Sequence, residues 1–441
     1  MLQDMHAKYG SIVAVRVGRN YSVFINDCEL MKDVFTKVSS GRSENICELM
    51  NAVFSREAGE APGGIVFTNG QLWAEQRKIA LNFFGRRSNY LSQLFADART
   101  LVERLTTRIN AQQTNVIDSK ELVGDISERT INVMHHLLVG GDADEETSKQ
   151  MYHKCETMMA LELHIALLML FPWFRHVPYF SKCFELLKRG PVMIRSILSQ
   201  ALAKHRQVGT ESIFMKHYMT SLKKLHGGTE PKYTQHNMER TMTELYGAGS
   251  ETTATAMAFA VLYMAKFPHV LERLSSEVDA AWTDTEDLGY LLASMPYARA
   301  TLDELLRHVS IAYVADRTLT SETEIAGYTI PARTVITANF WGVNHDKTYW
   351  KDPENFRPER FIQDIDGKPT FVKDERVVTF SMGKRKCIGQ GMAMDELFVF
   401  LIYIIKNFSI NKASETDELG VRPIAGLIQR CPPFQCILTR R

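Results

Sequence analysis

The sequence predicts a mainly α-helical fold with small β-sheets near both ends. From Asn69 to Met264, apolar residues recur at three- and four-residue spacing and prolines are few, a periodicity typical of amphipathic helices. Short β-rich segments occur in the first forty residues and return from Glu324 onward. The 441 residues contain no repeat, low-complexity tract or obvious linker. We therefore interpret residues 1–441 as one domain, although the length alone would allow about three.

The order of the elements follows from local patterns. Ser11–Val17 and Tyr21–Ile25 alternate in a strand-like way, and Gly18 and Asn20 between them are typical of a hairpin turn. The helical body follows this hairpin. After the helical body, the sequence predicts β-rich segments at Glu324–Ile330 and Val335–Phe340, a proline-punctuated coil through Pro353, Pro358 and Pro369, a helix over Met392–Phe408 and a β-like tail.

The composition excludes several classes of protein. Hydrophobic residues make up 45% and charged residues 23% of the chain, which excludes a disordered or collagen-like protein. The 52 Lys and Arg residues and 51 Asp and Glu residues leave a net charge of +1, so nucleic acid is not an expected partner. Seven cysteines without a C-x-x-C pair predict neither a disulfide scaffold nor a paired-cysteine metal site. No apolar run reaches the roughly 18 residues of a membrane span.

One long helix is predicted from Thr234 to Lys266, which would extend over about 50 Å. Its middle contains Gly247 and Gly249, and a glycine costs about 1 kcal/mol in a helix interior. Two interpretations remain open: another helix packs closely here, or a large group lies against Ala248 and Gly249, where side chains would intrude. A dinucleotide-binding loop is rejected, because the third glycine and the preceding strand are missing.

The most informative segment runs from Phe380 to Gly391 and combines three glycines, three cations and Cys387 directly before a strongly apolar helix. Adjacent cations and a helix N-terminus both favour a thiolate, so we expect a lowered pKa for Cys387. The glycines let the backbone pass close to a flat or bulky group. A thiolate in this setting suits a nucleophile or a ligand to iron, and a solvated turn is the less favoured alternative.

Several motifs resemble those of one family. Phe380–Gly389 matches the F-x-x-G-x-R-x-C-x-G pattern of the cytochrome P-450 haem-thiolate monooxygenases at every fixed position. Four further segments resemble motifs of that family in the same order along the chain: its early-helix W-x-x-x-R, its oxygen-activation motif, its E-x-x-R pair and its downstream arginine motif, at Trp73–Arg77, Ala248–Thr253, Glu304–Arg307 and Pro358–Phe361. The resemblance implies the fold of the family, with haem b (iron protoporphyrin IX) between the long central helix and the cysteine loop with its following helix.

The resemblance also implies roles for individual residues. From the residues alone, a helical threonine such as Thr252 would rather bond its own backbone, and Trp73 with Arg77 would rather form a cation–π contact. The family context favours other roles. These are an axial haem-iron ligand, Cys387; groups that bind the haem propionates, Trp73, Arg77, Arg385 and Arg317; and a proton-delivering acid–alcohol pair, Glu251 and Thr252.

A structural role is predicted for a third motif. Glu304 and Arg307 are three residues apart, close enough to pair on one helix face, and Arg360 would complete a carboxylate held between two guanidiniums. That arrangement would brace the coil that carries the cysteine. Two features depart from the family: Thr379 stands where microsomal members usually have proline, and residues 308–315 lack a proline that many relatives place there. The path of that second segment past the haem is left open.

The leading functional hypothesis is a monooxygenase that inserts one oxygen atom from O2 into an apolar organic molecule. Electrons would come from NADPH through NADPH-cytochrome P-450 reductase, with cytochrome b5 as a further candidate donor. Lys384 and Lys386, extended by Lys78, Arg86 and Arg87, form the expected docking patch for an acidic donor. The family's substrate-contact regions map to mostly apolar segments, at residues 44–54, 161–170, 242–248, 311–314 and 424–428.

Two alternatives share the same fold. One is an isomerase or dehydratase that rearranges a peroxide without a reductase, and the other is a haem binder without catalysis. The intact Glu251–Thr252 pair argues against both. The residues of the motifs are most similar to those of animal microsomal members. We expect the full-length forms of such members on the cytoplasmic face of the endoplasmic reticulum membrane. The chain begins near Lys8 of the Lys-Tyr-Gly region, and we interpret it as lacking the anchor of those relatives.

Overall fold

The structure of the protein is a computed structural model. It describes residues 8–17, 20–38, 40–55, 62–112, 115–161, 164–165, 167–168, 171–208, 212–227, 235–283, 285–414, 419–426 and 428–441. The predicted turn residue Gly18 lies outside the described residues, as does Thr234, the predicted first residue of the long helix.

Helices make up most of the described chain. In chain order they are α1 (Cys28–Lys37), α2 (Glu44–Phe54), α3 (Gly70–Phe84), α4 (Leu91–Gln112), α5 (Ser119–Leu138), α6 (Glu145–Ala160), α7 (Pro178–Val208), α8 (Ile213–Leu225), α9 (Gln235–Lys266), α10 (Pro268–Ala281), α11 (Leu288–Ser294), α12 (Pro296–Val309), α13 (Phe340–Asn344), α14 (Lys347–Trp350) and α15 (Gln390–Asn407). Short 3-10 turns lie at Arg87–Asn89, Pro172–His176, Pro358–Phe361 and Gly383–Arg385.

The strands form small sheets around this helical body. They are β1 (Ile12–Val17), β2 (Asn20–Ile25), β3 (Ser40–Gly41), β4 (Val116–Asp118), β5 (Val314–Leu319), β6 (Thr323–Ile325), β7 (Tyr328–Ile330), β8 (Val335–Asn339), β9 (Ile362–Ile365), β10 (Lys368–Phe371), β11 (Phe408–Lys412) and β12 (Gln435–Arg440). The largest sheet has the order β1-β2-β8-β5-β3, in which β2 and β8 are parallel and the other pairs antiparallel. A second sheet has the order β11-β12-β4, and β6-β7 and β9-β10 are hairpins. The mainly α fold with small sheets is confirmed.

Helix α9 is the centre of the core. Every residue from Ala254 to Ala265 is buried, as expected of a helix that is apolar on all sides. It packs against α5, α7, α10, α12 and α15. The predicted long central helix is therefore present, and the helix that follows Cys387 lies directly against it.

Two differences from the predicted order of elements have a clear physical reason. Strand β4 interrupts the helical body at Val116–Asp118, because these residues pair with the C-terminal strand, a partner more than 300 residues away. The predicted coil around Pro369 is a hairpin in which Pro369 pairs with Asp364. Proline is tolerated there, since a two-stranded hairpin consists of edge strands and does not require every backbone N–H.

The predicted carboxylate lock, formed by Glu304, Arg307 and Arg360, is confirmed. The Arg307 guanidinium donates to both oxygens of Glu304 at 2.7 and 2.8 Å, and Arg360 Nε lies 3.3 Å from Glu304 Oε1. Arg307 also donates to the carbonyl oxygens of Asn344 and Pro353. The carboxylate and the Arg307 guanidinium are fully buried, and removal of one partner from such a pair costs about 3–5 kcal/mol. The lock joins α12 to the coil that leads to Cys387.

The two departures from the family have a structural explanation. The Thr379 hydroxyl donates to the Leu306 carbonyl oxygen at 2.9 Å, a bond that a proline could not make. Helix α12 ends at Val309, where Ser310 adopts a left-handed φ of 50°. The Ile311 carbonyl then accepts from the Gln429 N–H at 2.8 Å. A left-handed serine thus turns the chain where relatives use proline.

Asp303 of α12 gives a prediction about pH. It is 3% exposed and its Oδ2 has no hydrogen-bond partner, and burial raises its pKa to about 6. Because the folded state binds the proton more tightly than the unfolded state, stability should fall as pH rises from about 4 to about 6 and should stay lower above pH 6. At pH 7.5 we expect Asp303→Asn to unfold at a higher urea concentration than the parent, with a free energy of unfolding larger by about 1–3 kcal/mol. Near pH 4 the two proteins should have the same free energy of unfolding.

The control for this measurement is Asp33→Asn, which removes an acid from the exposed face of α1. If Asp303→Asn shows the same difference from the parent at pH 4 and pH 7.5, Asp303 does not titrate in this range and the prediction fails.

Candidate active site

The Cys loop, residues Phe380–Gly389, is fixed by its own backbone. The Cys387 N–H donates to the Phe380 carbonyl at 2.9 Å, and the Lys386 N–H donates to the Gly383 carbonyl at 3.1 Å. Gly389 caps the N-terminus of α15. The loop therefore brings Cys387 to the start of that helix in a defined conformation.

Gly383 lets the Cys loop approach α1. Its φ is +69°, and a Cβ at this position would lie 2.0 Å from the Phe35 carbonyl oxygen. Any side chain would meet a strained backbone and a backbone atom that cannot move independently. The close contact with α1 thus explains the glycine at this motif position.

The Cys387 side chain is accessible although dense protein surrounds it, which places it on the wall of a cleft. Burial raises the pKa of the Cys387 thiol and outweighs the lowering by the Gly389 and Gln390 backbone and by Arg77 and Lys386. The expectation of a lowered pKa is therefore wrong for the protein alone. The free-energy cost of removing water from a thiolate is larger than the stabilisation of the thiolate by the nearby cations. A coordinating metal ion would deprotonate the thiol outright.

Three of the predicted propionate-binding residues lie together beside the Cys loop. Arg77 of α3 donates to the Lys386 carbonyl at 2.5 Å. The Arg385 guanidinium lies 4.3 Å and that of Arg77 5.9 Å from the centre of the Trp73 ring. Arg385 also donates to the Thr68 carbonyl at 2.6 Å. Trp73 thus forms cation–π contacts, as the residues alone indicated. One of the two cations belongs to the Cys loop and the other is bonded to it.

Arg317 and a residue that the sequence reasoning missed, Arg42, complete an arginine cluster with Arg77 and Arg385. Burial lowers the pKa of both Arg317 and Arg385, and the Arg42 charge is the next largest cause for each. Arg42 itself is held by Asn69, whose amide donates to its carbonyl and accepts from its N–H. Arg42 follows a glycine at the start of α2 and carries no local signal of function, so only the fold reveals it.

The arginine cluster fits the carboxylates of a haem. Within the described ranges, none of its four guanidiniums forms an ion pair with Asp or Glu, and the buried Arg42 Nε has no hydrogen-bond partner. Buried guanidiniums that repel one another require anions, and carboxylates match their geometry. One accessible thiol beside such a cluster is the donor set expected for a haem with two propionates and a thiolate ligand.

The central glycines of α9 have different roles. A Cβ on Gly249 would lie 2.7 Å from the sulfur of Met134 on α5, whereas a Cβ on Gly247 would meet no atom within 4 Å. Ala248 between them is exposed, and the two glycines are half-buried. Close helix packing therefore explains Gly249, and the interpretation that a large group lies against this residue is wrong. Gly247 and Ala248, in contrast, border open space.

The predicted acid–alcohol pair leaves α9 in two directions. The Thr252 hydroxyl is exposed and donates to the Ala248 carbonyl at 2.9 Å, on the face that borders the open space. Glu251 lines a separate cavity of about 290 Å³ between α5, α9 and the C-terminal segment, together with Lys120 and Arg430. The two side chains are neighbours in sequence, but only Glu251 lines this cavity.

One residue of the predicted docking patch is paired with an acid in the structure. Arg87 forms a bidentate ion pair with Asp395, at 2.8 and 2.9 Å, and so does not offer a free charge. Lys78 and Arg86 line a groove between α3 and α8. Lys384 and Lys386 remain exposed on the Cys loop. Only Arg87 is thus removed from the predicted patch, because Asp395 neutralises its charge, and for the other four residues the patch remains a prediction.

The fold and the site together define a haem-thiolate class of oxidoreductase. Comparison with known proteins agrees: the cytochrome P450 family model matches residues 1–437, and the chain belongs to this family. It is 28% identical to "Probable cytochrome P450 305a1" of Drosophila melanogaster over 98% of this chain and 86% of that protein. It is 26% identical to "Cytochrome P450 2J3" of Rattus norvegicus, over 96% and 83%. It is 25% identical to "Steroid 17-alpha-hydroxylase/17,20 lyase" of Squalus acanthias, over 93% and 81%.

Family membership establishes an oxygenase that uses haem, O2, a redox partner and a small-molecule substrate. The resemblance seen in the sequence is thereby confirmed at the level of family and fold. The individual site residues remain predictions that the geometry above supports.

The seating of the Cys loop gives a prediction for Gly383→Ala. The left-handed φ and the contact with Phe35 should together destabilise the protein by more than about 2 kcal/mol, and the fraction of protein that retains haem should fall. Gly367→Ala is the matched control, since Gly367 has a similar φ of +76° but open space around it. Urea unfolding and the haem-to-protein absorbance ratio measure both effects. Equal losses in the two variants would contradict the role of the contact with α1.

Proposed function

We propose that this protein is a monooxygenase that inserts one oxygen atom from O2 into an apolar organic molecule of the xenobiotic, steroid or fatty-acid class. The observation that supports it most is the accessible Cys387 beside a cluster of unpaired arginines. When bound, a haem with a thiolate ligand supplies the chemistry of O–O bond cleavage. Residues 1–441 would act as one catalytic domain, with haem b as the cofactor.

The chain's own groups would hold this cofactor from two sides. Cys387 would bind the iron through its sulfur, and the loop hydrogen bond to Phe380 would fix the direction of that sulfur. Arg77, Arg385 and the Trp73 N–H would bind the propionates. Arg317 would add charge on the same side. Arg42, which only the structure identified, would also add positive charge there.

Proton delivery would use both Thr252 and Glu251 of α9. The Thr252 hydroxyl would leave the Ala248 carbonyl and hand its proton into the open space. Glu251 would replace that proton from its separate cavity, which Lys120 and Arg430 also line. A carboxylic acid that takes up a proton from water and gives a proton to a hydroxyl acts as a general acid.

The substrate proposal depends on the apolar character of the cleft. Ala248 is accessible at its edge and Gly247 leaves space beside it. Apolar pockets with few polar groups bind apolar ligands. Parts of the predicted contact regions, residues 162–163, 166, 169–170 and 427, lie outside the described residues, so the proposal is limited to the chemical class.

The protein would lie on the cytoplasmic face of the endoplasmic reticulum membrane, as expected of microsomal members of the family, where a membrane-bound reductase could reach it. Within the part of the chain that the structure describes, no single helix has the length and apolarity to cross a membrane. Helices α9 and α10 together satisfy both criteria, but they are bent by 108° relative to each other.

The proposal is tested first at Cys387. The reduced protein under carbon monoxide should show the far-red-shifted Soret band of a thiolate-ligated haem. Cys387→His should shift that band to the histidine-ligated position or lose the haem. The thiol control is Cys47→Ala, a half-buried cysteine at which the spectrum should not change. A thiolate spectrum that survives in Cys387→Ala would show that another cysteine is the ligand.

Thr252→Ala should keep the carbon monoxide spectrum and the uptake of O2 while most of the NADPH consumed yields hydrogen peroxide in place of product. The reason is the loss of the hydroxyl that delivers the proton. The matched control is Ser250→Ala, which removes the same type of bond, from a hydroxyl to the carbonyl four residues earlier, on another face of α9. Unchanged coupling of NADPH to product in Thr252→Ala would reduce Thr252 to a helix-packing residue.

The electron donor should dock at Lys384 and Lys386, which the structure leaves exposed on the thiolate side. Lys384→Glu with Lys386→Glu should slow reduction by an acidic flavoprotein about 3–10-fold at low salt. Rising salt should slow reduction of the parent as the Debye length falls from about 10 Å to about 3 Å. Reversal of two exposed charges on α8, Lys216→Glu with Lys224→Glu, is the control. Equal effects of the two double variants would mean that only the overall charge matters.

A further inference from the structure

A cavity outside the haem site contains two cations that the scheme above does not use. It is the cavity of about 290 Å³ between α5, α9 and the C-terminal segment, here termed the α5–α9 cavity. Neither Cys387 nor any member of the arginine cluster lines it. Of its lining residues, Glu251 alone has a role in the proposed reaction, so the haem site does not explain why Lys120 and Arg430 are there.

The backbones of Lys120 and Arg430 are fixed by hydrogen bonds. The Lys120 N–H donates to the side chain of Asp118, the N-cap residue of α5, at 2.8 Å. Arg430 forms an isolated antiparallel bridge with Ile424, in which each N–H donates to the carbonyl of the other residue at 2.9 Å. The two cationic side chains therefore start from defined positions on the wall of the cavity.

The charges of the α5–α9 cavity do not balance. In the part of the chain that the structure describes, neither the Lys120 ammonium nor the Arg430 guanidinium forms an ion pair with Asp or Glu. The Arg430 Nε is buried and has no hydrogen-bond partner. Glu251 is the acid among the lining residues, and the Cys431 thiol is neutral, because burial raises its pKa. Two cations and one carboxylate leave one excess positive charge in a partly enclosed space.

The remaining wall of the cavity is largely apolar. It includes aliphatic side chains of α5, small residues of α9 and two prolines of the C-terminal segment, namely Val123, Ile131, Ala254, Ala258, Pro432 and Pro433. The volume of about 290 Å³ is at the lower limit of the range of about 300–1,000 Å³ that is typical of ligand pockets. The cavity therefore fits a small molecule with an apolar chain and one anionic group.

We propose that the α5–α9 cavity is a binding site for a small monocarboxylate with an apolar chain, of the class of medium-chain fatty acid anions. Lys120 and Arg430 bind the carboxylate, and the apolar wall covers the chain. A carboxylate matches the planar donors of a guanidinium, and its single charge balances the excess positive charge. Inorganic phosphate lacks the chain and would bring further negative charge next to Glu251.

A bound monocarboxylate also acts as an effector of Glu251. Its carboxylate occupies the two cations that share the cavity with Glu251, and its chain excludes water from the space in which Glu251 takes up a proton. Turnover is therefore slower when the cavity is occupied. This effect rests on the proposed function of Glu251, whereas the binding site itself does not.

The first experiment measures binding to the haem-bound protein, with a bulky azole on the haem iron so that the substrate cleft is filled. Equilibrium dialysis with radiolabelled octanoate should give one bound molecule per protein and no change in the haem spectrum. Octan-1-ol has the same chain without the charge and should bind about 10-fold more weakly or worse, because charged hydrogen bonds are lost. Displacement of octanoate by an equal concentration of phosphate would show a general anion site and overturn the assignment.

Charge variants locate the bound octanoate. Lys120→Gln and Arg430→Gln should each weaken its binding about 5–20-fold, since each removes one charged donor. The matched controls are Lys223→Gln on α8 and Arg422→Gln in the same C-terminal segment, both at exposed residues that do not line the cavity. The controls should bind octanoate like the parent. If Arg430→Gln folds poorly, Lys120→Gln decides alone, because Lys120 is exposed on the first turn of α5.

The second experiment measures the effect on turnover of a neutral apolar substrate, without the azole. Saturating octanoate should lower kcat about 2–5-fold and leave KM unchanged, because it binds away from the cleft. The effect should require a higher octanoate concentration in Lys120→Gln than in the parent. A rise in KM with constant kcat would mean that octanoate binds in the substrate cleft, and the effector role would be wrong.

The outcomes separate this inference from the proposed function. Equal affinity of the parent and both charge variants, or several octanoate molecules per protein, would indicate adsorption to apolar surface and overturn the binding site. Binding in the cavity with unchanged kcat and KM would overturn the effector role. Normal turnover of Glu251→Gln would then show that the error lies in the proposed role of Glu251 and not in the site.

Discussion

The backbone position of the Cys loop is the constraint on which the site depends. Three neighbours fix it: α1 through the close approach at Gly383, α12 through the Thr379 hydroxyl, and α3 through the Arg77 bond to the Lys386 carbonyl. The carboxylate lock joins α12 to the coil that leads to the Cys loop, and the charges of Glu304 and Arg307 are fully buried. Because these contacts join segments more than 70 residues apart, the sulfur of Cys387 is held by the whole fold and not by its own loop.

Around this fixed sulfur the protein collects charges that it does not neutralise itself. The arginine cluster draws on the start of α2, on α3, on β5 and on the Cys loop, and burial lowers the pKa of its members. Elsewhere in the core, buried arginines such as Arg240 have carboxylate partners. The contrast indicates a binding site, since repulsion among unpaired guanidiniums is tolerated only where a ligand with anionic groups relieves it.

Helix α9 separates two environments at its midpoint. One face borders open space at Gly247 and Ala248, and its other faces pack against α5 and α15. The packed faces are therefore closed to bulk water, while the face at Ala248 is open. The proposed pair of Glu251 and Thr252 lies at this midpoint, directly before the fully buried half of the helix.

The sequence by itself determined the class of fold, the long central helix, the cysteine with its motif and the carboxylate lock, because each of these is encoded by local periodicity or by residues a few positions apart. Tertiary structure decided the rest. Arg42 belongs to the arginine cluster and Arg87 pairs with Asp395 because distant segments pack there. The Cys387 pKa is raised because burial outweighs adjacent cations. Arg77 and Lys386 are 309 residues apart, and only the packing of α3 beside the Cys loop makes them neighbours, since electrostatic and desolvation effects depend on distance in space.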